Sequence, residues 1–404
     1  LLFQTLDDKA QCVGFYTDNK LTFHQPLPNN LNKTWSYSAF LKGKNIDYAQ
    51  LYCDGKSLDD VCPEHLKDEW SAINKKLKSI IASCVESKVS LRENCFFDLT
   101  PERFLIEYCH LRNQISEYVF QNHTRPAQYD FYKRFTELLV DIKNRDLNIK
   151  LESIQNKLWK EGAMNFYRKV ANGKNNISYN MFSSITGRLT VNKNSFPILT
   201  FPKQYRNILH PQNNWFIVFD MNAAELRTAL ALNGRGQPEG DLHGWSAENV
   251  FKGQLDRSKA KETATAWLYN SHSPLSIKYD AELAQLYDKQ SLLNKYWIDG
   301  YVETPYGRKM QADEHHAISY LNQSTFIDMF HRQIIKVDDY LRDKKSFVSF
   351  MVHDEFVLDV TNEEKNDIVE IIKILQDTPY GKFPVNVKAG KNYEDLKKLN
   401  LKVD

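Results

Sequence analysis

The sequence predicts an α+β protein in which sheet strands and helices come from separate stretches of the chain. Three observations carry this prediction. Amphipathic helical text fills most of the span from about Leu66 to Lys160. A short apolar run, NWFIVFDMN (Asn214–Asn222), reads as a buried strand that runs into the helical AAELRTALAL (Ala223–Leu232). Near the C-terminus, SFVSFMVHDEFVLDV (Ser346–Val360) reads as two strands around a tight turn.

In chain order, CVGFYTDNKLTF (Cys12–Phe23) predicts a hairpin with Asp18 and Asn19 as turn formers. YDFYKRFTELLVDIKNRD places Phe131, Phe135, Leu138, Leu139 and Ile142 on one stripe, the pattern of a helix packed on a core. The pattern changes after Gly173, and DRSKAKETATAWLY (Asp256–Tyr269) is a polar helix with an aromatic end.

Composition narrows the function class only a little. Lys and Arg total 53 against 51 Asp and Glu, a net charge of +2. That balance neither requires nor excludes nucleic acid, because a neutral average can hide a basic cleft. No apolar run reaches membrane-spanning length, so no membrane partner is expected. No secretory signal pattern opens the chain, and residue 1 is Leu, which leaves a preceding segment open. The six cysteines are all in the first third and form no CxxC pair, so reduced thiols are expected.

Three constellations carry chemistry. Asp220 ends an apolar strand where a helix begins; such an aspartate is commonly an N-cap, but a strand end also holds a carboxylate rigidly at a cleft. His353-Asp354-Glu355 occupies a turn without glycine, and adjacent carboxylates repel unless a cation is near. Asp220 and Asp354 together suit hard divalent ions, since magnesium takes few carboxylates plus substrate phosphates. Arg257, Lys261, Thr265 and Tyr269 recur every four residues and so share a helix face. Two cations and a phenol in a row fit a nucleoside triphosphate, although a solvated basic helix end reads the same way.

In this order the three constellations resemble the family A DNA polymerases, the bacterial polymerase I class. DMNAAELR (Asp220–Arg227) and HDE (His353–Glu355) are similar to the two palm motifs, and Arg257, Lys261 and Tyr269 to the fingers-helix pattern Arg-x3-Lys-x7-Tyr. TGRL (Thr186–Leu189) resembles the strand motif between thumb and palm. DLHGWSAENVF (Asp241–Phe251) resembles the lead into the fingers, and YVETPYGRK (Tyr301–Lys309) and NQSTFID (Asn322–Asp328) the stretch before the last motif. The resemblance runs from about Tyr179 to the C-terminus. Thr265 stands where the family has an aromatic residue, and Asn270 where it has a glycine. The stretches Asn270–Gly300 and Lys309–Ser319 are short, so the fingers are reduced. The reduction looks more viral than chromosomal.

The resemblance implies a right-hand polymerase fold with an antiparallel palm sheet, helical fingers and a helical thumb, plus a small N-terminal α/β region. The implied divisions are 1–95 of unassigned role, 96–176 thumb, 177–240 palm, 241–300 fingers and 301–404 palm. It implies a DNA polymerase using two Mg2+ ions, with Mn2+ able to substitute, held by Asp220, Asp354 and the Met221 carbonyl, with Glu355 beside them. Lys261, Arg257, His243, Tyr269, Glu225 and Thr265 are implied at the nucleotide. Arg188, Gln323, His353 and Arg227 are implied at DNA. Primer-template DNA and dNTPs are the implied partners, with accessory replication proteins on the N-terminal region and a cytoplasmic setting, the host's for a virus. No Asp-x-Glu precedes Asp220, so no 3′–5′ proofreading is expected of this chain. A single-subunit RNA polymerase and a non-catalytic DNA-binding protein on the same fold are the rivals; Glu225 at the 2′ position disfavours the first, and the retained Asp220, Asp354, Lys261 and Arg257 the second.

Overall fold

The structure, a computed structural model, describes residues 1–401 except 7–13, 92, 158, 160, 161 and 272. It divides into two compact units, Leu1–Asn144 and Arg145–Asp404.

In the first unit the strands Gly14–Thr17 and Lys20–Phe23 form the expected hairpin. Asp18 and Asn19 both take positive φ, as a two-residue hairpin turn requires; Cys12 and Val13 lie outside the described residues. The helices Lys67–Glu86, Glu102–Asn122 and Tyr129–Asn144 follow. In the last of these the whole predicted stripe, Phe131 to Ile142, is buried. Trp35, Trp70, Phe104, Leu105, Ile115 and Val119 share one core. Residues on both sides of position 95 therefore pack together, so no boundary between compact units falls at the expected division there. Cys53, Cys62, Cys84 and Cys109 are free thiols, as expected. Cys95 departs from that expectation and is disulfide-bonded; the sequence carries spacing but not the distance between two sulfurs that decides bonding.

The second unit is built on an antiparallel sheet. Among the described residues its order is Phe347–Val352, Glu355–Val360, Trp215–Met221, Val385–Gly390, Lys397–Leu399. Trp215–Met221 is central, and Phe216 to Phe219 are buried on both faces, which is why it reads as an unbroken apolar run. The 27-residue helix Glu314–Tyr340 packs against Ala224–Leu232 and against Asp367–Gln376. TGRL is not itself a strand: it is a turn and loop leading into the two-residue strand Thr190–Val191. Gly187 in its middle has φ +79°, which breaks strand geometry there.

Between the central strand and the hairpin lies a mostly helical stretch. Leu242–Asn249, Arg257–Leu268, Asp280–Tyr287 and Lys289–Tyr296 surround a core of Phe251, Ala264, Leu268, Leu283, Tyr287 and Leu292. Aspartates start three of these helices: Asp241 accepts from the Gly244 N–H and Asp256 from the Lys259 N–H, both at 2.9 Å, and Asp288 from the Ser291 N–H at 3.1 Å. Each such cap stabilises a helix by about 0.5–2 kcal/mol. Among the described residues no helix is long and apolar enough to cross a membrane.

Candidate active site

The sheet register sets one wall of the site. Asp220 pairs with Glu355 on one side and Asn386 on the other. Asp354 sits in the two-residue turn between the paired positions Val352 and Glu355. Three carboxylates thus meet at one end of neighbouring strands. Burial raises the Asp220 pKa; the Asn386 amide, donating to its Oδ2 at 3.1 Å, opposes this, and the charges of Asp354 and Glu355 push it further up. Tyr393 donates its hydroxyl to Glu355.

The backbone on this wall is held in an unusual state. His353 has φ +55° and Ala223, just after the strand, has φ +50°. Left-handed conformations cost non-glycine residues about 1–2 kcal/mol. Here they flank the carboxylates, where such strain most often marks function.

The helix Arg257–Leu268 forms the facing wall. One cleft of about 220 Å³ is lined by Asp220, Met221, Glu225, His243, Arg257, Lys261, Thr265 and Asp354, together with Asn386. The i, i+4 reading of Arg257, Lys261 and Thr265 is thereby realised on one wall. Trp267 is turned away: it is buried and its indole donates to Asp280 at 2.7 Å.

The wall's polar groups already hold one another. Arg257 donates Nε and Nη2 to the two oxygens of Asp241, at 2.6 and 2.9 Å. Burial alone would raise the Asp241 pKa, but the bonds from Arg257, Asn222 and the Gly244 N–H hold it well below the carboxylate range. His243 is pushed down to about 4 by burial, with the Lys261, Arg257 and Arg227 charges adding and Asp241 opposing. Its imidazole is therefore neutral near pH 7. Glu225 accepts from Arg188 at 2.7 Å and from the Tyr269 hydroxyl. Gln323 also hydrogen-bonds Tyr269. The expected nucleotide and DNA residues Arg188, Glu225, Tyr269 and Gln323 thus form one network.

Arg227 is the exception. It is fully buried, and its three side-chain nitrogens bond Asn222, Gln237 and the carbonyls of Pro238 and Gly240. It tethers the loop before Asp241 and is not placed to touch DNA. Sequence reasoning missed that tether, along with Asp241, Asn386 and Tyr393. Asp241 had a helix-start signal, whereas Asn386 and Tyr393 had none, because only strand pairing and the chain's return bring them to the carboxylates.

Among the described residues no group of three or more His, Cys, Asp or Glu side chains converges as in a protein-only metal cage. Asp220 and Asp354 line one cleft with like charge between them, a donor set that fits instead an open site for a hard divalent cation with further ligands from outside the chain.

No family model matches the chain. The thermostable DNA polymerase I of Thermus aquaticus is 25% identical over 268 residues, which cover 54% of this chain and 32% of that protein. The match thus spans about a third of that relative's length. Among solved structures, the POL domain of Pol1 from M. smegmatis, in complex with DNA primer-template and dNTP, matches with a TM-score of 0.66 at 12% identity. That match covers 98% of this chain and 96% of the other.

Proposed function

We propose that this chain, which has the fold of the family A DNA polymerases, extends a DNA primer 3′-hydroxyl with dNTPs as a template directs. One observation carries the reading: a single cleft sets Asp220 and Asp354, from two strand ends, opposite Arg257, Lys261 and Thr265 on one helix face. Carboxylates facing cations is the arrangement that a metal-triphosphate substrate requires.

In this reading residues 241–300 are the fingers, 177–240 and 301–404 the palm, 96–176 the thumb, and 1–95 an N-terminal region open to accessory proteins. Asp220, Asp354 and the Met221 carbonyl would hold two divalent ions, which would supply activation of the primer hydroxyl and neutralisation of charge on the leaving pyrophosphate. Lys261 and Arg257 bind the triphosphate and stabilise the charge that grows during transfer. Arg257 must first give up its bidentate contact with Asp241. Neutral His243 donates a hydrogen bond without adding charge. Glu225 fills the space of a 2′-hydroxyl, Arg188 and Gln323 face the minor groove, and His353 lies by the primer end. Magnesium, a replicative role and a cytoplasmic setting belong to the same reading and draw their support from the family resemblance; a viral source draws its support from the shortened fingers.

The test is extension of a primed template by the purified chain, with dNTPs or rNTPs and with Mg2+, Mn2+ or EDTA. Template-specified addition of dNTPs, lost in EDTA, is the expected result. No addition with either metal would overturn the reading, and a preference for rNTPs would replace it with RNA synthesis.

A further inference from the structure

Arg188 meets Glu225 from a loop that rests on another arginine. Gly187 precedes it with φ +79°. A Cβ on Gly187 would lie 2.7 Å from Nη2 and 2.8 Å from Cζ of Arg308. The glycine is thus pressed against the guanidinium, and no other residue fits there without displacing it. Arg308 is itself fixed. Its Nε and Nη2 donate to the two oxygens of Asp328 at 3.2 and 2.7 Å, and Asp328 is 1% exposed. Its backbone closes the turn Thr304–Arg308 through bonds to Thr304.

These contacts close a ring. Asp328 and Gln323 both stand on the helix Glu314–Tyr340. From Asp328 the ring runs through Arg308, Gly187 and Arg188 to Glu225, and from Glu225 through Tyr269 back to Gln323. We infer that Arg308 is a positioning residue: paired with Asp328, it forms the platform that the Gly187 turn lies on, and so aims Arg188 at Glu225. The planar face matters. A bidentate guanidinium offers a flat, oriented surface, which a lysine ammonium cannot reproduce. The consequence for catalysis rests on the polymerase reading; the consequence for geometry does not.

Removing one partner of a buried pair can unfold the chain, so the test uses Arg308→Lys, which keeps the charge. Its crystal structure is expected to show Arg188 no longer within hydrogen-bond distance of Glu225. A retained 2.7 Å contact overturns the inference whatever the chain does to a primer. In single-nucleotide incorporation, Arg308→Lys is expected to raise KM for dNTP about tenfold with little change in kcat, and to narrow dNTP over rNTP selection. In an Arg188→Ala background the same substitution is expected to change neither. An equal effect in both backgrounds makes Arg308 merely structural. A wild-type chain that extends no primer defeats the polymerase reading alone, while the crystal structure still decides this one.

Discussion

The two walls of the cleft are held in opposite ways. The strand wall keeps like charges together: Asp220 is half-buried beside Asp354 and Glu355, on a rigid central strand and a turn with a left-handed His353. The helix wall keeps opposite charges together: Arg257 is paired with Asp241, and Arg188 and Tyr269 are both bonded to Glu225. The first wall is strained until something cationic arrives. The second is relaxed and, in the polymerase reading, must release its partners to take a substrate. Electrostatic preorganisation thus lies on the sheet, and adjustability on the helix.

Breaking the strand wall should have the largest effect. Asp220→Ala and Asp354→Ala are each expected to lower primer extension by about a thousandfold or more while leaving primer-template affinity nearly unchanged. Substantial turnover by either variant at saturating magnesium would remove that residue from the metal site.

A pH experiment probes the helix wall next. The His243 imidazole takes up its proton near pH 6.5 when unfolded, but only near pH 4 when folded. The folded pKa is depressed, so the stability it contributes is complete above about pH 6.5 and is lost as pH falls towards 4. The loss is on the order of 3 kcal/mol. Urea unfolding at pH 7 and pH 4.5 should show a smaller acid loss in His243→Gln than in the wild type. Equal losses would mean that His243 is solvated.

Glu225→Ala tests the centre of the paired network. Burying an unpaired hydroxyl costs roughly 1–3 kcal/mol, and overlap with Glu225 adds to that. The variant should gain relative efficiency with rNTPs and lose overall rate, read as the dNTP to rNTP ratio of kcat/KM. If the ratio stays constant, the sugar gate lies elsewhere.

Thr265 leaves the helix wall short of a ring. Thr265→Phe and Thr265→Tyr should restore apolar contact of about 1 kcal/mol, roughly a five- to tenfold gain in dNTP affinity. Pre-steady-state incorporation of dNTP and ddNTP measures it. Unchanged affinity and unchanged ddNTP discrimination in both variants would detach Thr265 from the sugar.

The smallest effect is expected at the strained turn. His353→Gly relieves the left-handed strain but adds freedom to the unfolded chain, for a net gain of about 0.5 kcal/mol. Thermal unfolding should rise slightly while extension falls. A lower melting temperature would show that the His353 side chain contributes more than its backbone costs.

Much of the second unit was legible in the linear text because its signals are local. The apolar run of Trp215–Met221, the capped helix Arg257–Leu268 and the strands around His353-Asp354 were all readable from periodicity and turn chemistry. Helical spacing alone put Arg257, Lys261 and Thr265 on one face. What periodicity cannot supply is which strand lies beside which. Register alone brings Asn386 to Asp220 and Glu355 opposite it, and chain return brings Tyr393 to Glu355. Arg227 illustrates the same limit: its helix position was evident, but its full burial among the carbonyls of a neighbouring loop was not. A guanidinium reads alike in sequence whether it faces DNA or a loop. Contacts between residues far apart in the chain decide which, because they alone determine whether its donors are satisfied inside the fold or left to a ligand.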